Sequence, residues 1–160
     1  MLYNIKSLDT DKQVAFLLGL SETVVDILKT SPNYDSLTNA LKVAWEWVTE
    51  KKHSGDDIYY LLDVGTDETG LFMQMQDEIE KRNELVFGCI VDAISFVCWK
   101  AYQDEDEEYL PGPIENVDED IIQQFLEGYF QIDKNNKKNA EVLFDRVQKS
   151  KDLIKESIVI

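Results

Sequence analysis

The residues that could do chemistry here are one histidine, two cysteines and 32 carboxylates, set against 16 lysines and arginines. His53 has no second histidine and no cysteine pair to join it, so neither a zinc site nor a histidine-based triad is supported. It reads as a loop or helix-end residue. Cys89 and Cys98 lie nine positions apart in one helical segment. That places them on opposite sides of the helix and about 13 Å apart along it, so they cannot bridge each other. Reduced, buried thiols fit a cytoplasmic protein. There is no glycine-rich phosphate loop and no Ser/His or Cys/His arrangement. Arginine is confined to Arg82 and Arg146, which argues against anion recognition.

The carboxylates deserve separate tests. A calcium loop wants ligands at alternate positions, glycine at the sixth and glutamate at the twelfth. Counted from Asp63, those positions hold Glu68 and Gln74; counted from Asp104, they hold Tyr109 and Glu115, with Pro111 and Pro113 stiffening the segment. Neither is a calcium loop. Abundant carboxylates are also not an acid–base pair in a cleft. The sequence therefore predicts no catalytic, cofactor-binding or metal-binding residue. The run Asp104 to Glu108 is expected in an exposed loop, where like charges repel and cost stability. Five in succession exceed what solubility requires, although a solvated surface is the bland alternative. Asp92 stands apart, as the one charge inside an apolar helix. It either reaches solvent, bonds a neighbouring hydroxyl or Trp N–H, or serves a function.

The net charge of −16 is unevenly spread. Residues 1–52 carry 6 basic and 7 acidic side chains, residues 53–132 carry 3 and 20, and residues 133–160 carry 7 and 5. An acidic middle disfavours nucleic acid and anionic membrane as ligands. It favours a basic protein partner, whose approach the field would accelerate.

The elements that must position these groups are helical. Glu84 to Tyr102 is apolar on nearly every side, so it is predicted to be the buried central helix, near residues 77–102. A helix capped by Asp9 or Thr10 runs to Lys29, where Pro32 follows. A second, capped by Asp35 or Ser36, buries Leu37, Ala40, Leu41, Ala44, Trp45 and Val48 and fades through Lys52. Trp47 falls off that stripe. Ser54 with Asp57 resembles a capping box for a short third helix. Gly70 to Met75 is ambiguous between a helix turn and an extended piece. After Pro111-Gly112-Pro113, Asp118 caps a helix with Ile121, Ile122, Phe125, Leu126, Tyr129 and Phe130 on one side. A lysine-rich last helix is expected from about Asn135 to Glu156. The apolar ending Ile158-Val159-Ile160 docks on the body or on another subunit. The whole predicts an all-α, single-domain bundle of six or seven helices spanning 1–160. Its first residues, MLYNIKSLDTDK, lack the basic-then-apolar pattern of a signal peptide.

Two blocks of residues resemble a known family. Trp45-Glu46-Trp47, then Ser54-Gly55-Asp56-Asp57 with Tyr59 and Leu61-Leu62, are similar to the first block of the Immunity protein 6 family. Asp92-Ala93 through Trp99-Lys100-Ala101-Tyr102, then Tyr109-Leu110-Pro111 and Pro113-Ile114-Glu115, are similar to its second. The resemblance covers about residues 10–130 and carries no catalytic motif. It implies a helical immunity protein of a bacterial polymorphic toxin system, which neutralises a toxin domain made by the same or a neighbouring cell.

Resemblance and charge together suggest a protein that is not an enzyme. The expected partner is a cognate, basic toxin domain, whose active site (a nuclease cleft being one such) the acidic surface would occlude. The contact residues expected are Asp63, Asp67, Glu68, Asp104, Glu105, Asp106, Glu107, Glu108 and Glu115, with Tyr60 and Tyr109 as aromatic anchors. A helical adaptor or oligomeric structural protein, and a carboxylate–metal enzyme, are the alternatives. Oligomeric state is left open.

Overall fold

Helix α5, Lys81–Asp104, is the axis of the molecule. At 24 residues it is about 36 Å long. Val86, Phe87, Ile90, Ile94, Phe96 and Val97 are all fully buried along it, on several sides of the helix. The structure is a computed structural model describing residues 4–65 and 70–160. Five further helices of eight residues or more surround α5. They are α1 (Thr10–Val24), α2 (Tyr34–Glu50), α3 (Gly55–Leu62), α7 (Asp120–Ile132) and α8 (Asn136–Lys149). Three single turns complete the α-helical set of the described residues: α4 (Leu71–Gln74), α6 (Gly112–Glu115) and α9 (Lys155–Ile158). The fold is all-α with a buried central helix, as the apolar pattern predicts. Helices α7, α3 and α1 make the most extensive packing on α5, while α8 lies against α1. By length and composition α5 could cross a membrane, but most of its apolar surface is buried inside the protein.

Several boundaries differ from the sequence expectation, each for a local reason. Helix α5 begins at Lys81 rather than near residue 77. Ser31 Oγ donates to Glu78 Oε1 at 2.9 Å and Asn33 Nδ2 to Asp77 Oδ2 at 3.1 Å. These bonds tie the two carboxylates to the α1–α2 connection, and Glu78 and Glu80 take extended backbone. Helix α1 tightens into a 3-10 turn over Val25–Leu28 before Pro32. Helix α2 starts at Tyr34, with neither Asp35 nor Ser36 as its cap. Asp9 caps α1 by accepting the Lys12 N–H, and Gly70 to Met75 contains the single turn α4. Asp118 acts from just outside α7, accepting the Asp120 N–H at 2.9 Å. Trp47, off the α2 stripe, is buried under the Lys51 ammonium, 4.2 Å from the ring centroid.

The last predicted helix is broken. It stops at Lys149, Ser150 turns extended, and α9 folds back. Ile158 is buried where α1 and α8 meet: a methyl group added at Gly19 would lie 2.4 Å from Leu143 Cδ2 and 3.1 Å from Ile158 Cγ2. Arg146 donates to the carbonyls of Ile158 and Val159 at 3.3 and 2.8 Å. An uninterrupted helix could not have brought Ile158 back to α1. The apolar ending therefore docks on its own chain.

Candidate functional site: an acidic pole and an acidic groove

The pole forms where the start of α3 meets the end of α5. Helix α2 ends with Lys51 in the left-handed region, its N–H donating to the Trp47 carbonyl at 2.8 Å, and His53 has φ of 81°. His53 Nε2 lies 3.0 Å from Glu46, and this bond holds the Glu46 carboxyl below its ordinary range. These two positive-φ residues turn the chain sharply into Ser54, which caps α3 by a complete capping box with Asp57.

At Gly55, α3 packs directly against α5. Its N–H donates to Glu105 Oε1 at 2.6 Å, and the Cys98 thiol donates to its carbonyl at 3.5 Å. A Cβ there would sit 2.4 Å from the buried Tyr102 ring, so no side chain fits. Tyr102 donates to Asp56 Oδ1 at 2.7 Å. Burial, and then that bond, push its hydroxyl well above the usual range. One end of α3 is thereby clamped to the last turns of α5.

The acidic run begins inside α5 and ends it. The Asp106 N–H donates to the Gln103 carbonyl at 3.1 Å and the Glu107 N–H to the Tyr102 carbonyl at 3.0 Å. That pair of bonds is a Schellman ending, with Asp106 at φ 54° where glycine is usual. Carboxylates at a helix C-terminus oppose the macrodipole. The run thus works against the local structure it terminates, which is expected at functional sites. Asp104 to Tyr109 are all exposed, Tyr109 at 85%. The ion pairs Lys51–Asp11, Lys52–Glu46, Lys149–Asp145, Lys155–Glu22 and Arg82–Asp133 all draw their carboxylates from outside residues 53–132.

The other expected contact residues are more dispersed. Asp63 is at the far end of α3, about 12 Å along the helix from Gly55. It accepts from the Tyr59 hydroxyl and the Gly65 N–H. Tyr60 is 62% exposed beside a shallow hollow with Ser36, Asn39 and Val64. Glu115 is exposed on α6. Asp67 and Glu68 lie outside the described residues. The structure joins Glu105 to the start of α3, and so places Asp56 and Asp57 beside the run. The capping signal at Ser54 could have revealed these two, since it fixes them on the first turn of a helix.

Beneath the pole is a cleft of about 360 Å³ that includes Asp9, Asp11, Trp47, Lys51, Lys100 and Asp104. Lys100 is only 8% exposed. Its ammonium lies 4.1 Å from the Trp99 ring centroid and donates to Gln103 Oε1 at 3.2 Å. Burial lowers its pKa.

A second feature lies between α5 and α7. Asp92 Oδ1 accepts from Gln124 Nε2 at 3.0 Å, a carboxamide rather than a hydroxyl or indole. Burial raises the Asp92 carboxyl to about 6, partly countered by the Gln124 bond. Asp92 and Gln124 together border two hollows, of about 320 and 230 Å³. Asp92 stands out in the sequence, but nothing there pairs it with Gln124, 32 residues on. Among the described residues no group of three or more His, Cys, Asp or Glu side chains could hold a metal ion.

Residues 12–132 match the family described as Immunity protein Imm6, and the chain belongs to that family of immunity proteins. No curated protein and no solved structure matches it. The match ends with α7, so α8 and α9 lie beyond it.

Proposed function

We propose that this protein neutralises a cognate bacterial toxin domain by direct binding in the cytoplasm, its acidic pole covering a basic active site. Membership of an immunity-protein family supports a toxin as partner. The observation that carries the mode of binding is the end of α5. There, five successive exposed carboxylates are held on a clamped helix terminus, at a cost to local stability. A toxin that cleaves nucleic acid presents a basic cleft, and a rigid row of carboxylates imitates the phosphates that such a cleft binds. Tyr109, directly after the run, and Tyr60 on α3 supply exposed aromatic surface. In this reading the protein acts by occlusion and performs no catalysis.

The test uses a candidate toxin domain from a neighbouring gene. Co-expression should protect cells from the toxin, and the purified proteins should form a stable complex in which the toxin is inactive. Growth arrest despite full expression of the protein, with no complex detected, would refute the proposal.

A further inference from the structure

We propose that the groove between α5 and α7 receives a lysine or arginine side chain of the bound protein, with Asp92 as its ionic anchor. The inference rests on the reading of the chain as a toxin-binding protein and locates a second contact, away from the pole.

Charge is the first argument. The ionisable groups bordering the two hollows are Glu84, Cys89 and Asp92 from α5, and Asp118 and Asp120 from α7 and the residue run before it. Among the described residues, neither hollow is bordered by a lysine, arginine or histidine. The Cys89 thiol is pushed up to about 12 by burial and stays neutral. A cation entering the groove therefore meets carboxylates and nothing that repels it.

Shape is the second. Phe72, Val91, Val117 and Ile121 give one hollow apolar walls, and the other opens at Gly88, where an added Cβ would touch nothing. Basic side chains fit such a site in two parts: the methylene stem lies along apolar surface and the charged head reaches the carboxylate. Asp92 is the head group's partner. Its only hydrogen bond among the described residues is to a neutral carboxamide, which leaves a half-buried charge uncompensated. An opposite charge within about 4–6 Å would favour its ionised form. An exposed surface carboxylate gains far less from such a pairing.

The experiment compares the toxin domain's affinity for the intact protein, for Asp92→Asn and for Gln124→Lys. The first variant keeps the shape and removes the charge. The second, at an exposed position, fills the groove with a cation of the chain's own. Each should weaken binding by at least about tenfold, as truncating a buried charge pair does. In parallel, the Asp92 carboxyl is followed by carbon-13 NMR in the free protein while n-butylguanidinium, a stand-in for the arginine side chain, is added. At about pH 6 its signal should shift toward the ionised position, and that signal should be absent from Asp92→Asn. If the intact protein binds the toxin and both variants bind within twofold of it, the groove inference is overturned and toxin binding stands. If n-butylguanidinium shifts exposed carboxylates but not Asp92, the inference is likewise overturned. If the intact protein binds no toxin domain, the functional reading fails and this inference fails with it.

Discussion

The Glu105 carboxylate accepts the backbone N–H of Gly55 at 2.6 Å, so a side chain at the end of α5 satisfies the first turn of α3 fifty residues away. A helix N-terminus carries unsatisfied donors and a positive dipole end, and a carboxylate answers both. One member of the acidic run therefore ties two helices together, and a second, Glu107, accepts the Tyr109 N–H at 3.2 Å in the turn that follows. Glu105→Ala should lower stability by about 1.5–3 kcal/mol, the scale of a charge-assisted hydrogen bond. Gly55→Ala should cost about 1–3 kcal/mol, because the new methyl group collides with the buried Tyr102 ring. Urea denaturation of the two variants checks both values.

Asp106 sits at φ 54° in the Schellman ending of α5. A residue with a Cβ is strained there, and a carboxylate at a helix C-terminus adds repulsion. Asp106→Gly should raise stability by about 1 kcal/mol. Thermal denaturation reads this as a higher midpoint. An unchanged or lower midpoint would mean that the carboxylate makes a compensating interaction.

Asp92 predicts a pH dependence of stability. Its folded-state value, about 6, lies above the ordinary 3.8, so the folded protein binds this proton more tightly than the unfolded chain does. That contribution is fully present below about pH 3.8 and is lost as pH rises through about 6. At pH 7 the ionised, half-buried carboxylate costs roughly 3 kcal/mol. Asp92→Asn cannot ionise, so it should gain on the intact protein by up to that amount between pH 4 and 7. Denaturation at both pH values measures the difference, and two parallel pH profiles would contradict the assignment.

Ile158 is fully buried where α1 and α8 meet. Ile158→Ala should cost about 2–5 kcal/mol, the range for a buried isoleucine. Hydrogen exchange should then quicken in α9 and the end of α8 before α5. Exchange unchanged in those segments would show that the docking contributes nothing to their order.

How far the sequence reveals these features depends on the range of the interaction. The α5 core follows from its apolar residues alone, and the Ser54–Asp57 capping box follows from two residues three apart. The acidic run is plain in the sequence, and so is its exposure, because the Pro111 to Pro113 segment cannot continue a helix. What depends on distant partners is not legible. Ser31 and Asn33 shorten α5 by capturing Glu78 and Asp77. The burial of Ile158 breaks a periodic pattern that would otherwise continue past Lys149. The Asp92–Gln124 pair and the Glu105–Gly55 bond join residues 32 and 50 positions apart. The −17 concentration in residues 53–132 is legible, but which carboxylates are structural is not.

The central claim is that the acidic pole meets a basic site on the toxin. The most direct test is the association rate of the toxin domain with the intact protein and with a variant carrying Asp104→Asn, Asp106→Asn, Glu107→Gln and Glu108→Gln, measured across a series of salt concentrations. Glu105 is left in place to keep the clamp on α3. The account predicts that the variant associates at least about tenfold more slowly at low salt, with a flatter salt dependence. Equal association rates and equal salt dependence for the two proteins would contradict it.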